Sequence, residues 1–205
     1  MSRVRIPSPA PQIQSNMIKF ILLFRLNVFL IPLFSYSYAM AYEEPAFKIV
    51  YKTDVYEIRH YADRLAVQAT YNNQNSSFRR LFNYISGANI NSEEVKMTTP
   101  VTQFEESSGM VMQFYLPSKF TKKTAPVPND PEVEIVTIKK GHYAVIEYSG
   151  RLTDKNFNKY KKILKDNLVK DKIEIMGPAI KAIYNGPFTL PILRRNEAMF
   201  LVDWK

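Results

Sequence analysis

Ser-Phe-Arg-Arg-Leu-Phe-Asn-Tyr-Ile-Ser-Gly-Ala-Asn-Ile-Asn-Ser-Glu-Glu-Val-Lys-Met-Thr-Thr-Pro-Val, from Ser77 to Val101, decides how the rest of the chain must be arranged. Phe78, Leu81, Phe82 and Ile85 recur at i, i+3, i+4 and i+7, which predicts a helix over 77–86 with one apolar stripe that needs a surface to cover it. Ser76 or Ser77 is placed to cap its first turn, and Gly87 with Asn89 ends it where left-handed backbone is easiest. An extended run then begins at Val95. The helix is therefore expected to lie on a sheet.

Working outward, the strands on either side supply that sheet. Phe47 to Tyr61 and Leu65 to Tyr71 read as extended, the second with Leu65, Val67, Ala69 and Tyr71 on one face. Val95 to Phe104 and Met110 to Leu116 form a hairpin around Glu105-Glu106-Ser107-Ser108-Gly109. Pro117, Pro126, Pro128 and Pro131 make the next segment a surface crossing, since proline donates no ladder hydrogen bond. Glu132 to Ile138 and His142 to Ser149 are then strands around a turn at Lys139-Lys140-Gly141. Thr153 or Asp154 starts a second helix with Phe157, Tyr160, Leu164 and Leu168 on its stripe, and Ala179 to Tyr184 and Asn196 to Asp203 close the chain as strands.

The second half echoes the first. Glu57-Ile58 precedes Ala66-Val67 and Tyr71 much as Glu134-Ile135 precedes Ala144-Val145 and Tyr148, and each echo leads to a helix that opens on Phe78 or Phe157. Neither half has enough surface to cover its own helix stripe, so the fold class expected is α+β, built from duplicated ββαββ units.

The ends and the composition limit the function classes. Met1 to Asn16 is polar and Pro-rich; from Met17 the order is Lys19, an apolar run from Phe20 to Leu33, and Ala39-Met40-Ala41. This is the layout of an N-terminal extension followed by a secretory signal peptide that starts at Met17 and is cleaved after Ala41. The mature domain would be residues 42–205, exported to the periplasm or secreted. An uncleaved anchor is the alternative, although the run is shorter and more broken than the roughly 20 apolar residues of a spanning helix. The formal charge is +9, of which Arg3, Arg5, Lys19 and Arg25 precede Tyr42, leaving +5 with no clustered basic groove for nucleic acid. Cysteine is absent, which excludes disulfides, thiolate catalysis, thiolate zinc and covalent c-type haem. No Gly-rich phosphate loop, His-Glu-x-x-His or Gly-x-Ser-x-Gly occurs, and two histidines are too few for a multi-histidine metal centre, so no enzyme activity is expected.

Four stretches carry a family resemblance, in the right order, over about Glu43 to Asp203: Tyr56-Glu57-Ile58-Arg59-His60-Tyr61; the helix ending in Gly87-Ala88-Asn89 with Met97-Thr98-Thr99-Pro100-Val101; Phe114-Tyr115-Leu116-Pro117; and Arg194-Arg195-Asn196-Glu197. Together they resemble the SOUL haem-binding protein family. Tyr184-Asn185-Gly186-Pro187 is similar to the family's Tyr-Asn-Pro-Pro turn, with Gly186 where proline is common. The resemblance implies a distorted antiparallel β-barrel or curved sheet carrying two helices related by an approximate twofold. It also implies non-covalent binding of haem b or another tetrapyrrole in an apolar groove between helix and sheet.

Such a ligand needs an apolar slot, cations for two carboxylates and an imidazole, thioether or phenolate for its iron. Strand alternation puts Tyr56, Ile58 and His60 on one face and Glu57, Arg59 and Tyr61 on the other. The resemblance carries onto His60 the histidine proposed to ligate iron in some family members, with Tyr56 and Ile58 beside it. Arg59, Arg79, Arg80, Arg194 and Arg195 are the candidates for propionate pairing, because guanidinium groups take carboxylates bidentately. His142 is expected in a turn, pointing to solvent, and Met97, Met110, Met112, Met176 and Met199 are expected as core filler. Two other readings stay open: an effector-type binder of a different flat hydrophobic molecule, and an envelope interaction module with no ligand.

Overall fold

Every strand among the described residues joins one sheet, whose order is not the order of the sequence. The computed structural model describes residues 42–71 and 74–205. Its elements are β1 (Phe47–Lys52), β2 (Glu57–Tyr61), β3 (Arg64–Tyr71), α1 (Gln74–Ile85), β4 (Val101–Glu106), β5 (Gly109–Tyr115), β6 (Glu134–Ile138), β7 (Gly141–Tyr148), α2 (Asp154–Lys170), β8 (Glu174–Ile175), β9 (Ile180–Ile183) and β10 (Asn196–Asp203). A 3₁₀ turn at Pro191–Leu193 precedes β10. Tyr42–Lys205 is one compact unit. The expected signal segment and its cleavage after Ala41 lie outside the described residues.

The sheet runs β1-β2-β7-β10-β9-β4-β5-β3-β6, antiparallel throughout, with β8 on the end of β10. The order is symmetric about the β9·β4 pair. Reading outward from it, β10 answers to β5, β7 to β3 and β2 to β6, and β1 is an extra strand on one edge. The duplicated α+β plan is thus present, in an interlocked form. β2 precedes β3 in the chain yet pairs with β7 of the other half, while β6 pairs with β3. Each half gives away its first strand.

The sheet also curls. Arg64 at the start of β3 lies over the rings of Tyr61 on β2 and Tyr143 on β7, at 4.1 and 4.9 Å, although these strands are far apart in the order. Such contacts require the sheet to close over the face they share, giving a half-barrel with Tyr61, Tyr143, Val145, Ala182, Tyr184 and Met199 packed inside. Both helices cover the opposite face. Leu164 and Leu168 of α2 are fully buried against Ile58, Ala144, Ala198 and Phe200, with Phe157 and Tyr160 partly buried beside them, as the stripe predicts. Thr153 caps α2, its hydroxyl accepting from the Asn156 amide at 3.2 Å.

Five local expectations are corrected. The first helix begins at Gln74, so Ser76 and Ser77 lie inside its first turn and are not its cap, and Ser77 is buried. Its buried stripe is Ser77, Leu81, Tyr84 and Ile85, while Phe78 and Phe82 are 42% and 47% exposed. The two phenylalanines stack on each other, and Phe78 meets Phe114 edge-on. Phe47 to Tyr61 is two strands, because the Thr53 hydroxyl accepts from the Val55 and Tyr56 amides and turns the chain. The run from Val95 becomes a strand only at Val101. Before that it is tied by single bonds, Val95 to Ile85 at 2.8 Å, Thr98 Oγ to Tyr115 at 2.6 Å and Thr99 to Glu43 at 2.9 Å, and the Thr99–Pro100 peptide is cis. His142 is a strand residue of β7, set directly across from His60, and not a turn residue.

Candidate functional site

The inner face of the half-barrel is closed by the chain's own side chains. Glu197 on β10 is fully buried and accepts from Arg59 Nη1 at 3.0 Å, from the Tyr184 hydroxyl at 2.7 Å and from Arg195 Nη2 at 2.9 Å. Arg59 is also tied to Glu57 at 2.6 Å, and Arg195 to Glu44 at 3.0 Å, lying 3.7 Å over the Tyr184 ring. Burial disfavours the charged form of Arg59, but the Glu197 carboxylate overrides it and holds the guanidinium above its ordinary value. Burial, and next the Glu197 charge, keep the Tyr184 phenol neutral far above the usual range. Arg64 is met by aromatic faces, those of Tyr61, Tyr143 and Tyr115, and its Nε and Nη2 are buried without a hydrogen bond. The spaces beside these groups include a void of about 10 Å³ and a half-open cleft of about 310 Å³ at Arg64, and a recess of about 250 Å³ beside Phe104, Tyr143 and Leu201. Each is smaller than the opening beside the second helix.

A larger opening lies between helix and sheet, where the sequence places the ligand groove. It is a half-open cleft of about 760 Å³ between the first turns of α2 and the ends of β4, β5 and β9. Tyr71, Phe104, Met110, Phe157, Pro178 and Ala179 give it apolar and aromatic walls; Lys161, Lys181, Asp154, Glu105 and Glu106 give it charged edges. Lys181 donates to Asp154 at 2.7 Å, and this bond, with the ammonium charge, holds the Asp154 carboxyl below the usual carboxylate range. Lys161 and Lys181 both stand over the Phe157 ring, at 5.7 and 5.3 Å. The volume falls in the range of cofactor sites.

The predicted site residues are scattered with respect to this groove. Tyr56 and Ile58 are buried under α2 and His60 is partly exposed on the same face, so the alternation holds. His60 does not line the groove. Its ring faces that of His142, 4.9 Å between centroids and 51° between planes. Burial, and then the neighbouring imidazole of His60, hold His142 below the ordinary histidine value. Arg59 and Arg195 are engaged with Glu197, and Arg80 Nη1 donates to both carboxylate oxygens of Asp130 at 2.8 and 2.9 Å. Arg194 is buried and donates to the Pro187 carbonyl. Arg79 is exposed on α1 and makes no ion pair among the described residues. The sequence motifs gave no site role to Glu197, Tyr184, Arg64 or the groove pair Phe157 and Lys181. The one signal available for them was an acid set inside the apolar run Asn196–Asp203, which only a buried cation accommodates.

One surface stands apart. Between β9 and β10, Phe188, Leu190, Ile192 and Leu193 are 98%, 63%, 80% and 69% exposed. The loop is braced from below: Gly150 donates to the Pro191 carbonyl at 2.8 Å, and the Arg195 amide donates to Asn185 Oδ1 at 2.6 Å.

The family model described as SOUL heme-binding protein matches residues 42–201. No curated protein matches the chain. Among solved structures, a hydrolase from Listeria innocua is similar with a TM-score of 0.56 at 6% identity, covering 75% of this chain and 94% of that one. The EcmrR C-terminal domain is similar with a TM-score of 0.53 at 11% identity, covering 76% of this chain and 99% of that one. At such identities the likeness is one of fold.

Proposed function

The chain belongs to the SOUL heme-binding protein family, and from that membership we propose that it binds haem b or another tetrapyrrole, non-covalently and without turnover. The observation that carries this reading is the cleft of about 760 Å³ beside α2, with its aromatic walls and lysine edge. Phe104 and Phe157 offer faces for a flat macrocycle, Lys161 and Lys181 are cations for its carboxylates, and Met110 and Tyr71 are a thioether and a phenol of the kinds that ligate iron. His60 is the competing axial ligand, on a different part of the helix-bearing face.

The test is a hemin titration of the purified full chain, followed by its Soret and difference spectra. Saturable binding of one hemin at micromolar concentration supports the reading, and its absence removes it. Phe157→Ala is expected to weaken binding at least about tenfold, in line with the loss of about 1.4 kcal/mol or more of stacking contact. A changed Soret position in His60→Ala assigns the iron to His60, whereas an unchanged one with a change in Met110→Ala assigns it to the groove. An uncharged aromatic that displaces hemin would point to an effector-type binder.

Export belongs to the same proposal: the chain is made with a signal segment ending at Ala41 and works as residues 42–205 in the periplasm or outside the cell. Amino-terminal mass analysis of the protein from its host is expected to give a chain beginning at Tyr42. An unprocessed terminus would favour the anchored form. A second reading, an interaction module, is favoured by the exposed loop of Phe188, Leu190, Ile192 and Leu193, a patch of a kind more often covered than bare.

A further inference from the structure

We propose that His60 and His142 together chelate one divalent transition-metal ion of the zinc, nickel or copper class, at a site separate from the groove beside α2. The two residues are direct partners across the antiparallel β2·β7 pair. Both side chains are partly exposed, so an ion can reach them, and neither imidazole is held in a hydrogen bond among the described residues. Their ring centroids are 4.9 Å apart. A metal–nitrogen bond of about 2.1 Å sets each ring centre about 3.2 Å from the ion, and two such rings at about the tetrahedral angle have centres about 5 Å apart. The observed spacing fits two imidazoles sharing one ion.

The geometry of the pair suits a small cation more than a haem. Asp203, at the end of β10, is close enough to His142 to act on its charge, and Lys48 lies across from His60 on β1, one charge of each sign. Among the described residues no group of three or more His, Asp or Glu is set to hold an ion, so water completes the coordination shell. Iron in a porphyrin accepts protein ligands only along the ring axis. Two imidazoles side by side on one sheet face are cis, a geometry that suits a bare ion of tetrahedral or square-planar preference. The proposal therefore stands whether or not hemin binds.

The duplication supplies an internal comparison. Glu57 opposite Val145 corresponds to Glu134 opposite Gln68, which makes Thr137 and Leu65 the counterparts of His60 and His142. Thr137 and Leu65 are also direct partners. The fold thus tolerates a pair with no metal affinity at this place, and only one of the two halves carries imidazoles.

The experiment is calorimetric titration of the untagged full chain with Zn²⁺ and with Cu²⁺. One ion per chain is expected, with affinity falling at least about tenfold in His60→Gln and in His142→Gln, and binding lost in the double variant. His142→Gln is expected to leave hemin binding unchanged, which separates this site from the haem reading. Because the sequence has only two histidines, electron paramagnetic resonance of the Cu²⁺-loaded unaltered protein reads the pair without any variant. Coupling to two imidazole nitrogens is the expected signal. No binding at about 100 µM ion, coupling to one imidazole only, or affinity that survives loss of both histidines would overturn the proposal.

Discussion

At the scale of single residues, Glu197 has the heaviest duty. It is a fully buried carboxylate held by Arg59, Tyr184 and Arg195, and Arg59 is itself buried. A pair of this kind contributes little relative to an apolar pair of the same shape, but breaking it from one side strands the other charge. Glu197→Gln is therefore expected to lower unfolding free energy by about 3–5 kcal/mol in urea, and the double variant with Arg59→Met to recover part of that loss. A loss below about 1 kcal/mol would mean that water reaches Arg59 in the variant.

Tyr84 gives a pH-dependent counterpart. Its hydroxyl donates to the Pro126 carbonyl at 2.8 Å, and burial, with the nearby Glu93 charge, pushes its pKa up to about 12. An unfolded phenol ionises near 10, so above that pH the unfolded state sheds its proton first and is favoured. The stability this group contributes is whole below about pH 10 and is lost as pH rises towards 12. In Tyr84→Phe, stability near pH 8 is expected to fall by about 1 kcal/mol for the missing hydrogen bond, with a shallower decline in alkali. Denaturant midpoints from pH 8 to 11.5 measure both.

At the scale of elements, the two helices differ in how well their periodicity reports their burial. On α2 the stripe named by spacing is the one that packs. On α1 spacing named Phe78, Leu81, Phe82 and Ile85; Leu81 and Ile85 pack, with Tyr84 between them, while Phe78 and Phe82 do not. The cause is that Tyr84, amphipathic and three residues after Leu81, is drawn inward by a carbonyl its hydroxyl can reach, which rotates the buried face away from the phenylalanines. Leu81→Ala is expected to cost about 2–5 kcal/mol, as a core truncation does, whereas Phe82→Ala is expected to cost under about 1 kcal/mol. Equal losses in thermal or urea unfolding would restore the stripe predicted by spacing.

At the scale of the whole molecule, the exchange of β2 and β6 makes the two halves one folding unit. Each half alone lacks the strand that covers the outer side of its β3 or β7, and each would leave an apolar edge open. The full chain is expected to unfold in a single cooperative transition. Residues 42–120 and 121–205 made separately are expected to show no dispersed amide spectrum, and to regain one when mixed; a half that folds alone would refute the interlocking.

Much of this was legible in the residues. Alternation placed nearly every strand and both helices, the Glu-Ile echo announced the duplication, and four motifs pointed to the family, because those signals depend on neighbours a few positions apart. The groove beside α2, the closed inner face, the partner of Glu197 and the meeting of His60 with His142 were decided only by tertiary structure. Each joins residues from distant parts of the chain, Arg59 with Glu197 or Phe104 with Phe157, and their proximity depends on sheet order and curl. Local sequence sets which face a side chain takes on its strand; it carries no record of which strand will lie alongside, since backbone pairing is the same for every partner and the choice is made by how the whole apolar surface is covered.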